Sequence, residues 1–469
     1  MNPFLLRLEG PDARSIAARL MKASARSRLS ARAWESEDGF VFSCGLGEGS
    51  DYVYRSKTGT LHQGDNSWDL PRDRFSDSNA AVTGALLRLA GHEPIGLGTD
   101  GDFEAGYEHA RANWPTAGKP PQPSSDPLIA IDGEMAIATA LLGAGCGVFS
   151  VSASAPVSAA CSLLGSLPPK GRIRIIEAGD SVAAAFSAAG AGYGGIRAAA
   201  DIPEERELLG APGAAWAASA EVPFVLIVSE PGAPESFGGI VRAPASVREV
   251  YRHCVEAFDL AESYQTSVTV VIEPTLRSRW ETISEPAASP ELHRGRWVVP
   301  SNNAPFDRYA VTEDGVSPRS APGMGGLEHS TLTLERESVS RRKDRIEKLS
   351  LKDASVLAAF GPGPVLGSGD GTVLVARGAI AAQLRATLEA GTVECGLLPI
   401  RTLRPFAADE IGRRLAGKRV LVAAERPDDT MLRLIRADAG VTAAEEWRVH
   451  DSSDLTAMID SLKGVLIGG

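Results

Sequence analysis

The sequence predicts a multi-domain α/β protein organised around a doubly wound parallel sheet. Three observations carry this expectation. Between Pro127 and Pro274, short runs rich in Val and Ile alternate with Ala-rich segments of helical length. Those runs are apolar throughout rather than at every second residue, as strands covered by helices on both faces require. Pro-rich stretches bracket the region on each side, at Trp114–Pro127 and from Glu281 to Arg345. A domain of this kind carries a crevice that holds a cofactor or faces one held by a partner.

Residues 1–116 read as a small α/β domain. Strands are expected at Phe4–Leu8, Phe40–Cys44 and Tyr52–Tyr54, with helices at Asp12–Ala25 and Ser78–Ala90. Gly96-Leu97-Gly98-Thr99-Asp100-Gly101 matches G-x-G-x-x-G, yet Gly91-His92-Glu93-Pro94 stands where a dinucleotide fingerprint needs a strand. It reads as a surface turn. Five prolines between Pro115 and Pro127 then mark a stiff linker.

In the central domain, 127–280, the strand candidates are Leu128–Ile131, Gly147–Val151, Arg172–Ile176, Gly195–Ala199, Phe224–Val228 and Val268–Ile272. Helices are expected at Met135–Ala144, Ser181–Ala191, Leu208–Ala220 and Ser246–Tyr264. The last opens on Ser246 with Glu249 three residues on, a capping-box spacing. Gly143–Gly147 and Gly190–Gly195 follow predicted helices and read as helix ends, not phosphate cradles.

Residues 281–350 form a Pro-rich connector ending in a charged, solvated helix. From 351 to 469 a further α/β unit is expected. Its strands are Thr372–Ala376, Val393–Leu398 and Arg419–Ala424, and its helices Ala379–Ala390, Ala407–Leu415 and Asp429–Ala437.

A net charge of −11 argues against nucleic-acid binding, which needs clustered Lys and Arg. The start, Met1–Glu9, has no signal-peptide pattern, and no apolar run is long enough to cross a membrane, so a cytoplasmic protein is expected. The five cysteines stand far apart with no CxxC pair, which gives no local ligand set for iron–sulfur or zinc. They read as reduced, mostly buried thiols. His253 lies on an amphipathic helix and reads as a packed residue. Ser236 lacks a nucleophile-elbow context.

Several stretches nevertheless resemble one family. Tyr309-Ala-Val-Thr312-Glu313-Asp314-Gly315-Val-Ser317-Pro318-Arg319, with Glu328-His329 after it, is similar to the connector of the α subunit of thiamine-diphosphate-dependent 2-oxoacid:ferredoxin oxidoreductases. Val255–Thr266 resembles the helix closing that family's pyrimidine-type domain. Leu398–Phe406 and the strand ending at Glu425 resemble its transketolase C-terminal-like domain. Ser78–Leu89 and Glu104–Tyr107 resemble the end of an N-terminal γ domain, here shortened.

The resemblance implies a separate β subunit carrying thiamine diphosphate, magnesium and an iron–sulfur cluster, with none bound by this chain alone. It also implies oxidative decarboxylation of a 2-oxoacid with CoA and electron transfer to ferredoxin or a similar acceptor. On the family's motifs, the cofactor-facing loop corresponds to Val151–Pro156, with Ala155 in place of a threonine and Pro156 kept. The glutamate on the aminopyrimidine corresponds to Ser181, with Asp180 and Glu177 close by. Glu230 and Gly232 fall in the substrate stretch, where an arginine is lost. The Gly-rich turn of the γ domain is replaced by Glu9-Gly10-Pro11-Asp12-Ala13-Arg14. A further Gly-rich loop is replaced by Asp201-Ile-Pro-Glu-Glu-Arg206.

A serine cannot give the charge-assisted hydrogen bond of a carboxylate, and Glu230 would repel a substrate carboxylate. Two readings follow: an enzyme subunit with altered chemistry, or a catalytically degenerate structural or regulatory subunit. A relative of transketolase-type enzymes is a third idea, opposed by the Thr312–Arg319 connector.

Overall fold

The structure, a computed structural model, describes residues 3–36, 39–47, 51–91, 101–115, 118–119, 122–153, 158–166, 173–202, 211–229, 234–284, 294–298, 309–319, 339–368, 371–389, 393–424, 429–449 and 455–467. The chain is mixed α/β, and the described residues form three sheets.

The N-terminal portion contributes β1 (Pro3–Glu9), α1 (Ala13–Arg26), β2 (Ala31–Ser36), β3 (Gly39–Gly47), β4 (Asp51–Arg55), β5 (Thr60–Gln63), β6 (Asn66–Asp69), α2 (Ser78–Leu89), α3 (Gly101–Asn113) and β7 (Gly118–Lys119). Its sheet runs β6-β5-β4-β1-β3-β2 and then continues through two strands from far along the chain, β15 (Trp280–Ser284) and β8 (Leu128–Asp132). The Leu128–Ile131 run is therefore a strand, but not one of the central parallel sheet. It lies antiparallel to β15, with Ile131 opposite Glu281 and Leu128 opposite Ser284. Its apolar side chains serve two cores: Ile131 packs with the central helices, while Ala130 meets the N-terminal core.

A short seam closes the sheet. Trp280 and Glu281 pair with Ala33 and Arg32 of β2. The Thr282 hydroxyl accepts from the Ala31 amide at 2.8 Å and donates to the Leu29 carbonyl at 3.1 Å.

The central sheet is built from α4 (Gly133–Gly143), β9 (Val148–Ser152), α5 (Ala159–Gly165), β10 (Arg174–Ala178), α6 (Ser181–Tyr193), β11 (Ala198–Ile202), α7 (Ala211–Ser219), β12 (Phe224–Val228), β13 (Ile240–Arg242), α8 (Val247–Tyr264), β14 (Ser267–Val271) and α9 (Pro274–Ser278). Its order is β10-β9-β11-β12-β14-β13-β19, the last being Thr402–Arg404 from the C-terminal portion, and it is parallel except for the last pair. The predicted parallel strands are present, some shifted by two or three residues. Phe224–Val228 lies at the centre, with every residue buried. One face is covered by α4, α5 and α8, the other by α6 and α7.

Helix α8 shows how local sequence sets an element. Its buried residues Val247, Val250, Cys254, Ala257, Phe258 and Ala261 recur at three- and four-residue steps. Ser246 accepts from the Glu249 amide at 3.1 Å, as its spacing foretold. Glu249 in turn accepts from the Ala245 amide at 2.9 Å, one residue before the cap.

The C-terminal portion has α10 (Val339–Phe360), β16 (Leu366–Gly367), β17 (Thr372–Ala376), α11 (Gly378–Glu389), β18 (Gly396–Pro399), β19 (Thr402–Arg404), α12 (Ala408–Leu415), β20 (Arg419–Ala424), α13 (Asp429–Arg433), β21 (Glu445–Arg448) and α14 (Leu455–Ile467). Its sheet order is β16-β18-β17-β20-β21. Strand β19 leaves that sheet to pair with β13, joining the two.

Ion pairs reinforce the join. Glu249 takes Arg401 through two oxygens at 2.8 and 2.9 Å. Glu273 accepts from Arg377 at 2.9 Å and from the Ala379 amide at the start of α11 at 2.8 Å. A side chain at Gly378 would collide with that carboxylate.

The connector motif is a clasp. Ser317 accepts from the Lys348 ammonium at 2.8 Å and offers its carbonyl to Gln265 at the end of α8. Lys348 also meets Glu221 at 2.7 Å. Arg319 lies 4.8 Å from the Trp297 ring and 3.5 Å from Glu262, which Arg197 and Arg294 also approach. Burial pushes the Glu262 carboxyl up, and the three guanidiniums pull it back. Thr312–Arg319 thus ties α10 to the end of α8.

Candidate active site

The site follows from strand order. From the carboxyl end of β9 the chain crosses through α5 to β10 on one side. From the carboxyl end of β11 it crosses through α7 to β12 on the other. Outgoing connections therefore diverge between β9 and β11, which opens a crevice at their carboxyl ends.

Three charged side chains meet at this crevice. Asp201, near the end of β11, is wholly buried. Arg277 of α9 donates Nη2 to Asp201 Oδ1 at 2.7 Å and Nη1 to Glu134 Oε1 at 2.9 Å. Glu134, in the first turn of α4, uses its second oxygen to accept the Ala160 amide of α5 at 2.9 Å. Burial alone would lower the Arg277 pKa, but the two carboxylates outweigh it and hold the guanidinium more firmly charged. No motif marks these residues, which lie 76 and 143 positions apart in sequence. Only the fold brings them together. Arg277 could have been suspected as an arginine placed just after an apolar run.

Of the predicted site residues, Asp180 and Ser181 stand at the start of α6, after the edge strand β10. Asp180 is the N-cap, accepting from the Ala183 amide at 2.7 Å. Ser181 is buried, at 2% exposure. Glu177 is an exposed residue of β10, opposite Val151 of β9. Ala155, Pro156, Glu230 and Gly232 lie outside the described residues, as do Gly96–Asp100, Pro203–Arg206 and Glu425.

All five cysteines are free and buried. Cys161 of α5 packs in the core; burial raises its thiol pKa, and Glu177 and Asp201 raise it further. That makes it a poor nucleophile. His253 is fully buried; burial and then Arg242, Arg252 and Arg401 hold its pKa well below the usual value. Arg242 lies 3.1 Å from Nε2, which must therefore be the acceptor, so the neutral ring carries its proton on Nδ1. This is the packed residue that its helical position implied.

Among the described residues, no cluster of three or more His, Cys, Asp or Glu could hold a metal ion. None of the described helices is long and apolar enough to cross a membrane.

Fold and crevice together define a multi-domain, mixed α/β chain with parallel-rich sheets. Among the described residues a seven-stranded central sheet is joined to a five-stranded C-terminal one and preceded by an N-terminal α/β portion. The particular likeness is to 2-oxoacid:ferredoxin oxidoreductases. Over 291 residues the chain is 28% identical to 2-oxoacid:ferredoxin oxidoreductase 1, subunit alpha, of Sulfurisphaera tokodaii, covering 55% of this chain and 46% of that one. It is 26% identical over 294 residues to the alpha subunit from Saccharolobus solfataricus, and 26% over 220 residues to 2-oxoglutarate synthase subunit KorA of Methanothermobacter thermautotrophicus.

The chain spans about half the length of the curated relatives it matches. In three dimensions it matches a 2-oxoglutarate:ferredoxin oxidoreductase from Magnetococcus marinus, solved with 2-oxoglutarate, coenzyme A and succinyl-CoA. The TM-score is 0.78 at 17% identity, over 99% of both chains. No protein-family model matches. The resemblance read from the connector and helix motifs is borne out by these relatives.

Proposed function

We propose that the chain is the α-type subunit of a thiamine-diphosphate-dependent 2-oxoacid:ferredoxin oxidoreductase. In this reading a separate β subunit holds thiamine diphosphate, magnesium and an iron–sulfur cluster. The complex decarboxylates a 2-oxoacid oxidatively with CoA and passes electrons to ferredoxin or a similar acceptor. The observation that carries this is the end-to-end fold match to a 2-oxoglutarate:ferredoxin oxidoreductase, alongside sequence relatives named as alpha subunits of 2-oxoacid:ferredoxin oxidoreductases.

The residues present do not fit the carboxylate grip that the resemblance implies on the aminopyrimidine. Ser181 offers only a hydroxyl, Asp180 uses an oxygen to cap α6, and Glu177 is exposed on the edge strand. Both terminal nitrogens of Arg277 are taken by carboxylates, so it is not a ready clamp for a substrate carboxylate. The proposed contribution of this chain is thus to present the crevice wall, exclude water from a partner's reaction centre and offer there, through Ser181, an uncharged hydrogen bond in place of a carboxylate's.

A second reading draws on the same residues: a subunit that keeps fold and interface but adds no chemistry. The test is Ser181→Ala in the complex with its β subunit, assayed with a panel of 2-oxoacids, CoA and a viologen acceptor. A working crevice loses at least about tenfold in turnover, equivalent to ~1.4 kcal/mol of transition-state stabilisation. Unchanged turnover supports the second reading. An intact complex that reduces no acceptor with any 2-oxoacid overturns the first.

A further inference from the structure

A cavity of about 290 Å³ lies at the join between the central and C-terminal sheets, near the lower end of small-molecule sites in size. Its wall combines the end of β13, the turn from β18 into β19, the end of α10 and the start of α12. Glu134, Ser181, Asp201 and Arg277 do not line it, so it stands apart from the crevice and from the activity proposed there.

The wall has two characters. Leu357, Phe360, Ile400 and Ile411 make most of it apolar, whereas its charged members are two arginines, Arg242 and Arg401. No carboxylate lines it among the described residues. The arginines are neighbours across the seam: Arg242 pairs with Thr402, and the Ala243 amide donates to the Arg401 carbonyl at 2.9 Å. Like charges so placed repel one another.

Both are steadied by α8. Glu256 accepts from Arg242 Nη1 at 2.8 Å and Glu249 takes Arg401, yet neither glutamate lines the cavity. His253 accepts at Arg242 Nη2 and, being neutral, adds no charge. Glu410, beside Gly361 at the rim, is taken by Arg414.

Arg242 is left short of negative charge. It is only 5% exposed, and its Nε meets no acceptor among the described residues. Burial lowers its pKa and Glu256 does not fully restore it, the reverse of Arg277, whose two carboxylates outweigh burial. A buried cation in that condition, beside open space, favours an anion there.

We propose that this cavity binds a small monocarboxylate with an apolar body, the carboxylate meeting Arg242 and Arg401 and the body lying against Phe360 and Ile411. Size and lining select that class. A bare inorganic anion would leave the apolar wall unfilled, and a neutral ligand would leave both guanidiniums unmatched. The Phe360 ring already lies 5.2 Å from the Arg242 guanidinium. Gly361 and Gly363, both exposed, also line the cavity and leave a way in from solvent. Since the wall is drawn from two sheets, an occupant braces the join between them.

Calorimetric titration of the full chain tests this, with phenylacetate and hexanoate as aromatic and aliphatic probes. Phenylacetamide keeps the apolar body without the charge, and inorganic phosphate keeps the charge without the body. At least one carboxylate is expected to bind once per chain with a dissociation constant below about 1 mM, and both controls at least about tenfold more weakly. Arg242→Met should weaken that binding at least about tenfold, since methionine keeps an apolar stem and loses every donor. Circular dichroism shows whether the variant is folded. Should it not be, Phe360→Ala, at a half-buried position, is expected to weaken binding about fivefold or more with both arginines in place. The proposal is overturned if neither carboxylate binds below about 1 mM, or if either control binds as tightly as the better carboxylate. A folded Arg242→Met or Phe360→Ala variant that binds as the wild type does overturns it too.

Discussion

Replacing Arg277 by methionine perturbs the crevice at its centre. The guanidinium is the partner that holds Asp201, wholly buried, and Glu134, which is mostly so. Methionine keeps much of the apolar stem but removes every donor. Glu134 retains the Ala160 amide, whereas Asp201 loses both of its short contacts at 2.7 and 3.3 Å. A buried charge deprived of its partner costs roughly 3–5 kcal/mol. For a cooperative unit of this size each kcal/mol moves the melting temperature by roughly 2–4 °C, so the expected fall is roughly 6–20 °C. Calorimetry reads it directly. The sharper test is the double variant Asp201→Asn with Arg277→Met, which removes the stranded charge as well as its partner. It should recover part of the loss, because an uncharged replacement of a buried pair is far cheaper than half of it. An Arg277→Met protein melting within about 2 °C of the wild type would refute the reasoning, as would a double variant no more stable than the single.

Three further outcomes follow from the geometry. Burial alone would raise the Glu249 pKa, but Arg401 and the Ala245 amide outweigh it and set it below the unfolded value. Its stabilisation is then full above about pH 4.3 and is lost as the pH falls through the lower folded value, so Glu249→Gln should destabilise at pH 7 and converge on the wild type in acid. The depressed His253 pKa works in the other sense: the unfolded chain takes up a proton below about pH 6.5 that the folded one refuses, so stability falls with acidification in that range. His253→Gln should flatten that slope in urea titrations. Finally, a fragment ending at residue 126 lacks β8 and β15, leaving β2 as an open edge; it should show no cooperative melt, and one that melts like a complete domain would show the seam to be dispensable.

Much of the central architecture was legible because it rests on local pattern. The Phe224–Val228 run is apolar at every position and is buried at every position. The Ser246–Glu249 spacing gave the start of α8, since a cap is chemistry between neighbours in sequence. Leu128–Ile131 was misplaced for a definite reason. Continuous hydrophobicity reports apolar contact on two faces, and β8 makes such contact with two cores, although only Ile131 of its residues is buried and its pairing is antiparallel. The three-residue strands β13 and β19 were too short to show a period. The charged trio of the crevice was invisible because its members depend on a helix start, a strand end and a short helix converging in space. The second role of Glu249, gripping Arg401 across 152 positions, was hidden in the same way.

The seam between β2 and β15 also has a consequence for biosynthesis. The strand that closes the N-terminal sheet is encoded some 250 residues after the one it joins, as the span between Thr282 and Ala31 shows. At translation rates of roughly 5–20 residues per second, β2 leaves the ribosome roughly 12–50 s before its neighbour exists. For that interval the nascent chain exposes an unpaired strand edge beside an apolar core. A strand made early is thus among the last to be finished, and a chaperone that shields an early strand edge would matter more for this chain than for one whose N-terminal sheet closes on itself.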